Sequence, residues 1–417
     1  MSEAGGDQMG GAMVQRIVVV GAGMAGVQTV VALREQGYAG ELTMVGAEAH
    51  PPYDRPPLSK DVLLGKAEHS RFDLDYAALG VELLLGRRAL GVDRERGVLR
   101  TDGGDGAGDG GDGELGYDRL VLATGAMPVP LPGQPADAHL LRTHDDAVAL
   151  KAALRPGARV VIVGAGWIGA EAATVARQLG CEVTVVEAGP SPLPGALPAE
   201  VGERMRGWYA EAGAVLRTGS GVSGFESGRV LLADGEVLDA DVVVVGIGAR
   251  PATGWLAGSG IALDDRGAIA ADDRLRTSAD GVYAVGDCAS FPSGRYGSRL
   301  TVHHWDNALQ GARVAAANAL GGDEVYDPVP YFWSEQFGRM VQYAGQHAPG
   351  DELLWRQGGA AGGGWGALWL RGDVPVALLA VDRPRDLAQG RRLIERAQPV
   401  DRVRAADPAV QLKAASL

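Results

Sequence analysis

Two glycine-rich turns of the pattern G-x-G-x-x-G constrain this 417-residue chain more than any other feature. The first, GAGMAG at 21–26, follows the apolar run RIVVV at 16–20; a helical pattern over about 27–36 and a second strand at 41–46 come after it. The second, GAGWIG at 164–169, lies inside RVVIVGAGWIGAEAATVARQLGCEVTVVE at 159–187, again as strand, turn, helix and strand. One such turn is a weak signal; two in this context are strong, because each glycine has a separate task. Gly21 and Gly164 permit the tight turn, Gly23 and Gly166 let a pyrophosphate approach the backbone, and Gly26 and Gly169 bring helix onto strand. The free N–H groups and positive dipole end of each helix then face the phosphates. Both turns, Ala25 and Ile168 included, are expected to bind dinucleotides.

The bulk properties narrow the field further. The length is too great for one core and fits two or three domains. A formal charge of -13 argues against a nucleic-acid binder but leaves room for a local basic patch that meets an acidic protein partner. Residues 1–14 lack the basic start and apolar run of a signal peptide and read as a disordered tail. No stretch approaches the roughly 18 apolar residues of a membrane span, so a cytoplasmic location is expected. Cys181 and Cys288 form no CxxC pair, which points to small core residues rather than a redox dithiol. No metal site is expected.

Other segments complete the organisation. Residues 102–114 (DGGDGAGDGGDGE) cannot build a core and read as a flexible loop, the expanded tip of a hairpin flanked by GVLRT and YDRLVLATG. Strands are expected within 228–248 and at 280–287, and a helix at about 306–320. From 327 onward Trp and Gly become frequent, alternating strands follow (MVQYAG, GALWLRG, PVALLAV), and a last helix covers about 384–397; this is read as a third, smaller domain, 327–417. Glu187 ends the second strand of the second unit, where a carboxylate grips ribose hydroxyls and repels a 2′-phosphate. No Arg lies in the segment AGPSPLPGALP after it, so NADH is expected over NADPH. Thr124 and Gly125 in LVLATGA, and Gly248 in VGIGARP, are small residues that let backbone pass close to a dinucleotide. Asp287 in AVGD stands at a strand end, as an N-cap or as a cofactor contact.

Three segments carry a resemblance to a known family: PPYDRPPLSKDVLLGK at 51–66, VHHWDNALQGA at 302–312 and YFWSEQFG at 331–338. From about residue 15 to 397 the chain resembles the FAD-dependent ferredoxin reductases of bacterial oxygenase systems, the putidaredoxin reductase and biphenyl dioxygenase reductase type. The resemblance implies an α/β, glutathione-reductase-like fold with two dinucleotide-binding domains and an α+β C-terminal interface domain. The FAD-binding domain is then expected at 15–125 and 250–326, interrupted by an NAD-binding domain at 126–249, with the interface domain at 327–417.

It also implies residue roles. Lys60 is expected beside the flavin ring with Glu171 paired to it, where an ammonium would stabilise charge on the reduced cofactor. Arg55 and Arg142 are expected at the FAD, Asp287 on its ribityl chain, Ala89 as a further cofactor contact, and Trp305 and Trp333 at the flavin or its approach. One departure stands out: the acid that usually follows the VG of the second strand is Ala47 here, and Glu48 comes one place later. The implied activity is hydride transfer from NADH to FAD and single-electron transfer to a small [2Fe-2S] ferredoxin that feeds an oxygenase, a haem monooxygenase among them, by a monomer or homodimer. Alternatives are an NADH-dependent reductase of rubredoxin or another acceptor, and a redox-responsive FAD/NADH-binding protein of the apoptosis-inducing-factor type.

Overall fold

The computed structural model describes residues 14–103, 113–357 and 363–417. Its two parallel sheets are built from the apolar, β-branched runs that sequence patterning picks out. In the first, strands lie in the order Val282–Ala284, Arg119–Leu122, Arg16–Val20, Glu41–Val45, Val81–Leu84. In the second the order is Val215–Thr218, Glu182–Glu187, Arg159–Val163, Val242–Val245. Runs such as RIVVV and RVVIV bury every position but the first, as strands covered on both faces must. The first fingerprint helix, Met24–Glu35, packs on the helix Trp305–Ala319, and both belong to the core that covers the first sheet.

The first sheet gathers strands from both ends of the region up to residue 284, while the second uses only residues between them. The chain crosses from one sheet to the other and back through a small ribbon. Ala126–Pro128 pairs antiparallel with Ala249–Pro251, and Thr124 Oγ1 donates to the Ala252 carbonyl at 2.9 Å beside it.

The C-terminal region forms a five-stranded antiparallel sheet in the order Tyr331–Gln336, Arg339–Gly345, Val374–Val381, Trp365–Arg371, Glu352–Gln357. The helix Pro384–Glu395 lies on it through Leu387, Leu393 and Ile394. The structure continues past the expected last helix: Asp401 caps a short helix, Arg402–Ala406, by accepting from the Arg404 N–H. What holds this tail is Arg356, 1% exposed. Its guanidinium pairs with Asp386 at 2.8 Å and donates to the carbonyls of Ala405, Asp407 and Val410.

One expectation is corrected. The strand Val98–Thr101 pairs not with the YDRLVLATG segment but with Gly113–Gly116, while Arg119–Leu122 goes to the parallel sheet. Val98–Thr101 also pairs with Ala89–Asp93. GELG is poor in strand formers and is extended mainly by its partner, so its sequence does not show the strand that closes the hairpin. The loop expected at 102–114 falls, for 104–112, outside the described residues, as does the tail but for Val14.

Cys181 and Cys288 are buried free thiols, hydrogen-bonded to backbone carbonyls. No helix among the described residues is long and apolar enough to cross a membrane.

The Arg356 cluster generates a stability prediction. Arg356→Met leaves Asp386 and three carbonyls short of donors, and should lower the unfolding free energy of the C-terminal region by ~3–5 kcal/mol. Denaturant unfolding read by tryptophan fluorescence measures it; a loss below about 1 kcal/mol would show that the cluster does not hold the tail.

Candidate functional site

The two fingerprint turns have the same stereochemistry. Gly21 and Gly164 sit at φ 116° and 102°, and a Cβ on either would lie 2.2 Å from the Ala123 carbonyl oxygen or 2.4 Å from that of Gly246. A Cβ on Gly26 or Gly169 would come within 1.8 or 2.0 Å of the carbonyl oxygen of Gly21 or Gly164. The middle glycines differ from these: the nearest atom to a Cβ on Gly23 is Arg55 Nε at 3.9 Å, and on Gly166 the Gly246 oxygen at 3.7 Å. The protein itself does not need glycine there, so the room is room for a ligand. Gly23 and Gly166 also precede helices with no side-chain cap and no acid in the first turn, leaving N–H groups for an anion.

Around the first turn the structure gathers two guanidiniums. Arg55 borders Gly23, and Arg142 Nη2 lies 3.3 Å from a Cβ built on Gly125. Arg55 donates to Glu48 Oε1 at 2.8 Å and to the Arg142 carbonyl at 2.7 Å. Arg142 pairs with Asp287 at 3.1 Å. Burial lowers the Arg142 pKa against the pull of Asp287; for Arg55, burial is outweighed by Tyr53 and Glu48, and its pKa is raised. Tyr53, which donates to Glu48 at 2.5 Å, is pushed up to about 12, mostly by burial. Two buried polar atoms, Arg142 Nε and His304 Nδ1, have no protein partner, and burial holds the His304 ring at about 4, neutral at pH 7. Half-buried guanidiniums and orphaned polar atoms beside an open turn fit a diphosphate-bearing cofactor such as FAD.

Glu48, the displaced acid, is thus already engaged by Arg55 and Tyr53, while Ala47 is exposed. In strand register Val20 pairs with Val45 and Val163 with Val186, so the counterpart of Glu187 is Gly46. A Cβ on Gly46 would lie 2.8 Å from the Ala22 Cβ, which keeps an acid out of that position. Glu187 accepts from the Ala165 and Gly189 N–H groups, each at 2.8 Å, at the lip of the second turn.

Lys60 and Glu171 meet at 2.8 Å, with Glu171 only 4% exposed. Lys60 follows the short turn Pro56–Ser59, and Glu171 is on the helix Trp167–Gln178. The pair therefore bridges the two fingerprint units. Glu171 also accepts from Ser59 and from Ser334. Trp305 Nε1 donates to Asp54 Oδ1 at 2.9 Å, and the Trp305 and Trp333 rings stand 5.9 Å apart, edge to face. Burial raises the Asp54 pKa against that hydrogen bond.

Not every expected residue joins this set. Ala25 is buried against Gly286, and Gly248 turns the chain at φ 120° before the crossing ribbon. Ile168 is 40% exposed on the second helix. Ala89 starts a strand opposite Thr101, in a sheet apart from the fingerprint turns. Tyr53, Asp54, Ser59 and Ser334 escape sequence reasoning as polar contacts, although each lies in a motif segment, PPYDRPPLSK or YFWSEQFG.

Comparisons with known proteins agree with this geometry. The pyridine nucleotide-disulphide oxidoreductase model matches residues 15–312 and the reductase C-terminal model residues 331–416. The ferredoxin reductase component of chlorobenzene dioxygenase from Cupriavidus sp. (strain PS12) is 37% identical over 95% of this chain and 96% of its own. The solved structure of Fdr9 is 47% identical with a TM-score of 0.88, covering 95% of this chain and 99% of its own. Putidaredoxin reductase, solved in covalent complex with putidaredoxin, is 32% identical with a TM-score of 0.89 over 96% of this chain and 97% of its own. Whole-length relatives, both family models and the paired turns together place the chain: it belongs to the pyridine nucleotide-disulphide oxidoreductases, in the ferredoxin reductase branch that carries the reductase C-terminal domain.

Proposed function

We propose that this protein is an NADH-dependent ferredoxin reductase that holds FAD on the first fingerprint, receives NADH on the second, and supplies single electrons to a small [2Fe-2S] ferredoxin serving an oxygenase. The observation that carries the reading is the Lys60–Glu171 pair between two equivalent dinucleotide turns, in a chain whose full-length relatives are ferredoxin reductase components. The FAD unit is read as 15–125 with 250–326, the NADH unit as 126–249, and 327–417 as the interface unit.

The flavin, when bound, supplies the conversion of a two-electron hydride donor into a one-electron donor. The chain's own residues bind and orient. Arg55 and Arg142 supply charge for the pyrophosphate at Gly23 and Gly125. Glu48, held by Arg55 and Tyr53, stands in for the acid missing at Ala47. Asp287 holds Arg142 and presents a carboxylate on the same side. Lys60 puts an ammonium at the flavin ring with Glu171 as its counter-charge, and the Trp305 and Trp333 rings border the edge where an acceptor approaches. Glu187 faces the NADH ribose, and Thr124 and Gly248 keep the crossing segments close to the dinucleotides. The buried free cysteines have no part in the transfer.

Three outcomes follow from these assignments. Arg142→Ala removes a charged donor to a buried phosphate, about 1.5–3 kcal/mol. FAD should be held roughly 10- to 150-fold more weakly, seen as loss of flavin absorbance on gel filtration; full FAD retention would refute the role.

At Glu187, unit charges 4 Å apart repel by about 4 kcal/mol at an effective dielectric of 20. NADH should therefore exceed NADPH by ~100-fold or more in kcat/KM, with Glu187→Gln narrowing the gap. Comparable efficiency with both would overturn the assignment.

The acceptor is tested by NADH-driven cytochrome c reduction with and without added [2Fe-2S] ferredoxins. Stimulation is expected, and no stimulation by any of them would sink the ferredoxin reading.

A further inference from the structure

The C-terminal sheet reaches the second fingerprint helix through the two-residue tip of its first hairpin. Phe337 and Gly338 both have positive φ, 49° and 78°, the turn geometry that matches strand twist. For a phenylalanine this conformation is unfavourable, and two contacts hold it. The Phe337 N–H donates to Thr174 Oγ1 at 3.0 Å, and its ring packs on Tyr209 with centroids 4.6 Å apart. Thr174 follows Glu171 by one turn on the same helix. On the strand that leads to this tip, Ser334 Oγ donates to Glu171 Oε1 at 2.7 Å. Gln336 Nε2 donates to Ser334 Oγ at 3.2 Å, so the serine's own proton is left for the carboxylate. Ser334 and Gln336 are each 1% exposed.

We propose that Ser334, oriented by Gln336, is a positioning residue that holds Glu171 on Lys60, and that the C-terminal unit thereby sets the charge felt at the FAD site; this rests on the FAD reading above. The two carboxylate oxygens are divided between units. Oε2 takes Lys60 and Ser59 from the PPLSK segment, and Oε1 takes Ser334 from the C-terminal sheet. Donors on both oxygens fix the rotation of the carboxylate about its last torsion, which is otherwise broad. With Oε1 released in a site too buried for water to replace the bond, the group is free to turn away from Lys60. The ammonium then loses part of its counter-charge and stabilises the reduced, anionic cofactor more strongly.

The test uses the FAD-loaded protein and reads the flavin midpoint potential against redox dyes, without NADH or ferredoxin, so its outcome is independent of the acceptor. Ser334→Ala should raise the potential and change the rate of reduction by NADH roughly three- to tenfold. Ser334→Cys, which keeps the volume but donates weakly, should shift the potential in the same direction. Thr174→Val frees the hairpin tip without touching Glu171 and should leave the potential where it is. The proposal is overturned if Ser334→Cys matches the wild type, since volume and not the hydroxyl then matters. It is equally overturned if Thr174→Val shifts the potential as far as Ser334→Ala, or if Glu171→Gln shifts nothing. Failure of every ferredoxin to accept electrons would instead strike the proposed function and leave these potentials standing.

Discussion

A buried carboxylate needs donors for its lone pairs, and Glu171 finds them in segments far apart in the chain. Ser59 and Lys60 come from the turn after the first unit's second strand, and Ser334 from the C-terminal sheet. The helix that carries Glu171 begins at the second dinucleotide turn. Whatever satisfies this one side chain therefore also fixes where the second turn lies relative to the first. Charge, hydrogen bonding and domain placement are the same interaction seen at different scales.

The duplicated turns show how one backbone solution serves unequal ends. Both need glycine where a Cβ would strike a carbonyl, and both leave the middle glycine with room for a Cβ at ordinary contact distance. They part at the end of the second strand, at Glu187 and Gly46. The second unit has room for Glu187, which ties itself to the turn through the Ala165 N–H. In the first unit Gly46 packs against Ala22 and admits no side chain. The acid appears at Glu48 instead, where Arg55 and Tyr53 draw it in. A displaced acid is tolerable there because the guanidinium that neutralises it is also the one beside Gly23.

Much of this was legible in the residues, and the misses share a cause. The turns and their flanking strands depend on local pattern, so the residues alone expose them, while the Lys60–Glu171 pair is legible only through the family resemblance of the PPLSK segment. The partner of Val98–Thr101 was misassigned because Gly113–Gly116 is made a strand by its neighbour, not by its own composition. The short helix Arg402–Ala406 and the burial of Arg356 were not foreseen, since an arginine reads as surface until five hydrogen bonds from distant segments are seen to converge on it. Ser59 and Ser334 were hidden in plain motifs: a serine shows nothing of its partner until the fold brings a carboxylate 163 positions away within 2.7 Å.

The crossing ribbon alone would make a poor joint. Three residue pairs join Ala126–Pro128 to Ala249–Pro251, and short two-strand connections of this kind are where domains hinge. Hydride transfer needs donor and acceptor atoms about 3–3.5 Å apart, a tolerance that a hinge does not keep. The C-terminal hairpin closes the triangle: Ser334 and Phe337 grip the second fingerprint helix at Glu171 and Thr174, while the neighbouring Trp333 packs on Trp305 at the start of the helix that lies on the first fingerprint helix. Strain at Phe337 is the local cost of that closure. A region whose position invites the role of a docking platform is, on these contacts, also what holds the two dinucleotide turns at a fixed separation.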